Sequence, residues 1–151
     1  MIKMIFAIEE ERTPLGYKFG YQDGLPWPFI KEDMEHFRKY TENCTICCSQ
    51  KTADTLPKSV YTTLGRSLFI LKRDTLYMDL PKNACIIGGA KIIEDWYQCA
   101  NEISITFISN PNAKADVYLS ENVVDDILRI MELSDQKKLS DNVDIYILKD
   151  K

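Results

Sequence analysis

The run "DGLPWPFIKEDMEHF" (residues 23 to 37) sets Asp33 three residues after Ile30 and four before Phe37. On a helix those spacings place all three on one stripe, while Glu32 and Glu35 fall on other faces and read as solvated. A carboxylate on an apolar stripe must be hydrogen-bonded or neutralised, and a ligand with paired N–H groups does that. Aspartate is also favoured at helix starts. Spacing alone therefore leaves Asp33 either a helix start or a pocket acid.

Two strand-to-helix junctions carry a second kind of chemistry. In "CIIGGAKII" an apolar run enters Gly88-Gly89 and leads at once into a helical pattern with Lys91 in its first turn. Backbone without a Cβ lets a ligand approach closely, and amides at a helix start suit a phosphate. A tight turn that needs two glycines is the competing reading. "CCSQKTADTLP" repeats the arrangement with Ser49, Gln50, Lys51 and Thr52, where ordinary capping by Ser49 competes. Two such junctions in one small sheet favour the diphosphate of a dinucleotide over either junction alone.

"TTLGRSLFILKRD" puts Arg66 before a strand and Lys72-Arg73 after it, at opposite rims of a sheet. Arg66 has the fork that grips a carboxylate, and Lys72 with Arg73 suits a phosphate monoester. A solvated rim is the plainer alternative. The five cysteines include a CxxCC cluster (Cys44, Cys47, Cys48), but the chain has one histidine, His36, and no second ligand pair at zinc spacing. "CTICCS" reads instead as a buried strand in which thiols act as small hydrophobes. No metal is expected.

The elements that must position these groups follow from composition and periodicity. With 151 residues, 45% apolar, the chain suits one domain with a substantial core, residues 1–151. A net charge of −4 excludes a basic nucleic-acid binder, and no apolar run approaches the roughly 20 residues of a membrane span. "MIKMIFAIEEER" lacks the pattern of a signal peptide and reads as a first strand, so a cytoplasmic location is expected. The odd cysteine count also argues against a disulfide framework.

After "MIKMIFAI" come about twenty residues rich in Gly and Pro without periodicity, a length that in a small domain is usually functional. A helix with Ile30, Met34 and Phe37 follows. "CTICCS", "SLFILK", "ACIIGG", "EISITFIS", "ADVYLS" and "VDIYILK" read as strands. "QKTADTLP", "AKIIEDWYQCA" and "NVVDDILRIMEL" read as helices, the last with Val123, Ile127, Ile130 and Met131 on one face. Alternation of this kind gives an α/β fold with a mainly parallel central sheet, flanking helices and an antiparallel C-terminal strand. Ligands in such sheets bind beyond the carboxyl ends of the strands.

In this order, "MIFA", the loop closing in "GLPW", "DMEHF", "KT", "LGRS", "IIGGAKI", "ITFI", "KADVYL" and "DIYILK" resemble dihydrofolate reductase over nearly the whole chain. The step from Trp27 to Asp33, one residue longer than usual, is similar to that of some bacteriophage members. The resemblance implies a single-domain dihydrofolate-reductase-like fold, a monomer, that reduces dihydrofolate with NADPH and binds antifolate inhibitors. A binding or virion-structural homologue of reduced activity, or a related pyrimidine or pterin reductase, remains a second reading.

The resemblance also implies roles. Asp33 would accept from the 2-amino and N3 groups of the pterin and promote protonation at N5, with Thr106 orienting it. Ile5, Phe6, Met34, Phe37 and Leu56 would line the pterin and benzoyl pocket, and Arg66 would hold the tail carboxylate. Ala7, Phe19, Gly20 and Leu25 would meet the nicotinamide end. Gln50, Lys51, Thr52, Gly88, Gly89, Ala90, Lys91 and Ile92 would surround the phosphates across a cis Gly88–Gly89 peptide. Lys72 and Arg73 would read the 2′-phosphate, and Asp116 would latch the closed loop. The adenosine-binding region, around 72–85, is shorter than the family's.

Overall fold

Strand β1 (Lys3–Glu9) is buried along almost its whole length, from Met4 to Glu9, with only Ala7 partly open. A strand apolar on both faces belongs inside a sheet covered on both sides. The computed structural model, which describes residues 1–151, places it there. β1 pairs in parallel with β5 (Ala84–Gly88) on one side and β6 (Glu102–Ile108) on the other. β3 (Thr45–Cys48) and β4 (Ser67–Ile70) continue the parallel part beyond β5. β9 (Val143–Asp150) runs antiparallel to β6, and β8 (Met131–Ser140) pairs antiparallel with β9. The seven-stranded order is β4-β3-β5-β1-β6-β9-β8.

A second, two-stranded ribbon joins β2 (Tyr17–Gly20) to β7 (Val117–Leu119). β2 lies inside the stretch that composition marks as loop. Four residues that follow Gly16 and end in Gly20 give too short a run for alternation to be seen, but Tyr17 is buried beside Leu119 in the main core.

Five helices flank the sheet: α1 (Lys31–Tyr40), α2 (Gln50–Thr55), α3 (Ser59–Thr62), α4 (Ala90–Trp96) and α5 (Glu121–Ile130). Ser49 caps α2, its Oγ accepting from the Thr52 N–H at 3.2 Å. α5 buries Val123, Val124 and Ile127, as its periodicity requires. It ends at Ile130, so Met131 opens β8 instead of closing the helix. β8 is exposed at every residue after Met131, which leaves its sequence without an apolar period to read. Between β4 and β5 the chain forms only a short 3-10 turn, Tyr77–Asp79.

The functional consequence lies in the β1–β5 ladder. Its register is confined to Lys3↔Cys85 and Met4↔Ile86, after which the two strands part. The next residues of each, Ile5 to Ala7 and Ile87, line the cavity that opens between them.

Candidate active site

The cavity holds about 680 Å³ and its lining is mostly apolar. α1 delivers Asp33 to one side of it, with Met34 and Phe37 beside the carboxyl. All three are partly buried, whereas Glu32 and Glu35 are exposed. Burial pushes the Asp33 pKa up from the usual carboxylate range, and a hydrogen bond with the Thr106 side chain opposes that rise. Thr106 comes from β6 and is itself buried. An acid held off its ordinary titration range inside an apolar cleft is equipped to move or share a proton.

The loop after β2 forms the rim. Tyr21 and Gly24 exchange two backbone hydrogen bonds of 2.9 Å, and Gln22 and Asp23 between them have φ of 48° and 62°. Both central residues are left-handed, the tight hairpin turn that asparagine, aspartate and glycine tolerate best. The Asp116 carboxylate accepts the Gln22 N–H at 3.0 Å, and the Asp116 N–H donates to the Gly20 carbonyl at 2.9 Å. Asp116, for which the resemblance implies a latch, thus makes two contacts to the loop. Phe19, Gly20, Tyr21, Asp23, Gly24 and Leu25 all line the cavity.

At the far end, the starts of α2 and α4 meet the cavity. Ser49, Lys51 and Thr52 line it from α2, and Gly89, Ala90, Lys91 and Ile92 from α4. The Gly88–Gly89 peptide is cis. Both ammonium groups already have carboxylate neighbours: Lys51 lies 3.6 Å from Asp23, and Lys91 3.1 Å from Asp95. Free amides, hydroxyls and two cations at one end of an apolar cleft fit an elongated ligand with a diphosphate.

Most of the expected residues come together: Ile5, Phe6, Ala7, Phe19, Gly20, Leu25, Asp33, Met34, Phe37, Lys51, Thr52, Leu56, Gly89, Ala90, Lys91, Ile92 and Thr106 line this one cavity. Five do not. Gln50 is turned outward, its amide donating to Asp54 at 2.8 Å. Gly88 is buried just behind the lining, facing Phe19. Lys72 and Arg73 are exposed beyond the end of β4, away from the cavity walls. Arg66 is committed to the protein, donating to Thr41 Oγ1 at 3.0 Å, Ser59 O at 3.0 Å, Thr63 O at 3.1 Å and Thr63 Oγ1 at 3.0 Å. It clasps the end of α3 to the end of α1.

Sequence reasoning missed Tyr21, Asp23 and Gly24 in the rim turn, Thr55, Pro57 and Val60 around the end of α2, and Ile87 and Val117. Val60 follows Leu56 by four residues, but the helical run breaks between α2 and α3 at Pro57, so no helical spacing signalled it. Trp27 is buried behind the rim, against Ile108 and Val143 with Ala7 alongside, and its indole N–H has no protein partner. All five cysteines are free, and no three His, Cys, Asp or Glu side chains gather closely enough to hold a metal. No helix is long and apolar enough to cross a membrane.

A mixed α/β fold with a mostly parallel sheet, split open over a half-buried acid and two helix starts, is a ligand-binding cleft with the means for acid–base chemistry. No family model matches the chain. In an alignment 138 residues long that covers 78% of this chain, it is 29% identical to a dihydrofolate reductase type A10 of Escherichia coli, and it covers 72% of that protein. It is 24% identical over 114 residues to dihydrofolate reductase type 8 of Escherichia coli and of Shigella sonnei, 59% of this chain and 66% of theirs.

Proposed function

We propose that the chain is a compact, single-domain dihydrofolate reductase that converts 7,8-dihydrofolate to 5,6,7,8-tetrahydrofolate with NADPH. One observation carries the reading: the half-buried Asp33, with Thr106 beside it, faces an apolar cleft whose other end is built from two helix starts. The likeness to proteins bearing the dihydrofolate reductase name supports it.

Bound with its phosphates at Lys51, Thr52, Gly89, Ala90 and Lys91, NADPH would supply the hydride. Asp33 binds the pterin through its 2-amino and N3 hydrogens, which compensate the cost of a buried carboxylate. Ile5, Phe6, Met34, Phe37 and Leu56 hold the rings and keep bulk water out. Thr106 fixes the carboxyl so that its proton affinity serves N5. Under this reading water carries the proton to N5. The lysines of the phosphate end must exchange Asp23 and Asp95 for ligand oxygens.

The 2′-phosphate assignment to Lys72 and Arg73 and the tail carboxylate assignment to Arg66 rest on the resemblance; these side chains stand outside the cavity walls. Under this reading the short 72–85 connection corresponds to a trimmed adenosine region. The test is NADPH oxidation in the presence of dihydrofolate, followed by absorbance, beside titration with a methotrexate-like antifolate. Turnover abolished by stoichiometric antifolate is expected. Absence of both turnover and antifolate binding overturns the reading, and antifolate binding without turnover favours a binding protein.

A further inference from the structure

α1 carries the proposed acid, yet none of its side chains is fully buried, and its N-cap, Ile30, offers no side-chain bond to the first turn. Packing and capping normally hold a helix start. Here the helix face is tied to β6 by a row of polar pairs. Asp33 bonds Thr106. The His36 Nε2 lies 2.8 Å from Ser104 Oγ, and the Tyr40 hydroxyl donates to Glu102 Oε2 at 2.8 Å. Glu102, Ser104 and Thr106 alternate along the strand and so share one face. Asp33, His36 and Tyr40 recur at three and four residues and share one helix face.

We infer that His36 is a positioning residue, whose bond to Ser104 keeps Asp33 in register with Thr106; this rests on the reading of Asp33 as the proton-handling acid. His36 is one turn from Asp33, and its partner Ser104 is fully buried two residues from Thr106. The bond is directional, so it fixes the helix along the strand as apolar contact does not. Around the imidazole stand the Tyr40 ring, 5.6 Å away on α1, Ser104 on β6, and the charge of Lys137 on β8. Glu102, with Lys149 at 3.6 Å, occupies the next rung, and Lys3 lies 4.6 Å above the Tyr40 ring. Burial and Lys137 both disfavour the imidazolium, so a neutral ring makes the contact. A misplacement of about 1 Å at a reacting group can cost about 10²-fold in rate.

The experiment compares His36→Phe, which keeps a ring and deletes the bond, with Ser104→Ala, His36→Gln and the double variant His36→Phe/Ser104→Ala. Two readouts are taken: the titration midpoint of the Asp33 carboxyl carbon by NMR in the ligand-free protein, and the pH profiles of kcat and kcat/KM. His36→Phe and Ser104→Ala should each move the Asp33 midpoint down, toward the ordinary carboxylate range, because relief of burial as water reaches the loosened acid outweighs loss of the smaller, opposing effect of Thr106. Both should lower kcat about 10-fold, the double variant should add nothing further, and His36→Gln should restore part of the loss. If melting temperature falls while the Asp33 midpoint and the pH profiles stay in place, His36 is only a structural peg and the inference is wrong. If the midpoint moves but the parent protein turns over no dihydrofolate, the positioning role stands and the reductase reading falls.

Discussion

The Asp23 carboxylate lies 3.6 Å from the Lys51 ammonium, joining the rim turn after β2 to the start of α2. Both side chains line the cavity and both are well exposed, 64% and 81% respectively. An exposed pair of this kind contributes about 0–1 kcal/mol to stability. Its interest is competitive, because Lys51 is a cation proposed to meet the ligand's phosphates.

Asp23→Asn should therefore leave thermal stability nearly unchanged and tighten NADPH binding by about 2- to 5-fold at low ionic strength. The gain should fade toward 1 M salt, where the Debye length is about 3 Å. Isothermal titration of the ligand-free protein at two salt concentrations checks this. Weaker binding in the variant would mean that Asp23 helps the ligand rather than competing with it.

Asp33→Asn should separate stability from activity. Burial raises the Asp33 pKa, so the folded protein holds this proton more tightly than the unfolded chain does. Stability from this group is present below the unfolded-chain pKa and is lost as pH rises through the higher folded pKa. At neutral pH the parent pays for a buried charge that asparagine lacks. The variant should melt higher at pH 7, on a scale of about 2–4 °C per kcal/mol gained, and the difference should vanish below about pH 4. Turnover near neutral pH should fall by about 10²–10⁴-fold. A variant that melts no higher at pH 7 contradicts the burial account.

Arg66 offers a test of the tail-carboxylate assignment. Arg66→Ala deletes the bonds to Thr41, Ser59 and Thr63, and the fold should lose about 1–3 kcal/mol. If the guanidinium also reaches the substrate's tail, KM should rise for dihydrofolate and stay level for a pterin without the glutamate. Equal effects on both substrates would confine Arg66 to its clasp.

Gly16 sits at the start of the β2–β7 ribbon with φ of +114°, and an added Cβ would stand 2.4 Å from the Leu119 carbonyl oxygen. Gly16→Ala should cost about 1–3 kcal/mol and, by loosening the ribbon that carries Phe19 and Gly20, raise the KM for NADPH. Thermal melts with steady-state kinetics decide it; an unchanged melting temperature would show that the ribbon can shift freely.

What the residues made legible was the part governed by burial on both sides. β1, β3, β5 and β6 are apolar runs whose neighbours are turn formers, and the starts of α2 and α4 follow them directly. Asp33 was legible as an apolar-stripe anomaly, and spacing alone could not choose between helix start and pocket acid because Thr106 comes from a distant strand. β8 was illegible because both of its faces meet solvent, so Met131 was absorbed into the preceding helical period. Asp23 carried no signal of its own, since its partner Lys51 comes from another element. The commitment of Arg66 to carbonyl oxygens is a property of the α3 end, which no spacing encodes.

The strand order has a consequence for biosynthesis. β9 is the last strand of the sheet to be made, yet it lies between β6 and β8 and buries Val143, Ile145 and Leu148. A nascent chain that has reached residue 142 therefore holds β6, with Ser104 and Thr106 on it, against a bare edge. The parallel half can assemble on the ribosome, but β6, which carries Thr106, is clamped only after residues 143–150 emerge. Ligand-competent nascent chains should appear abruptly at that length.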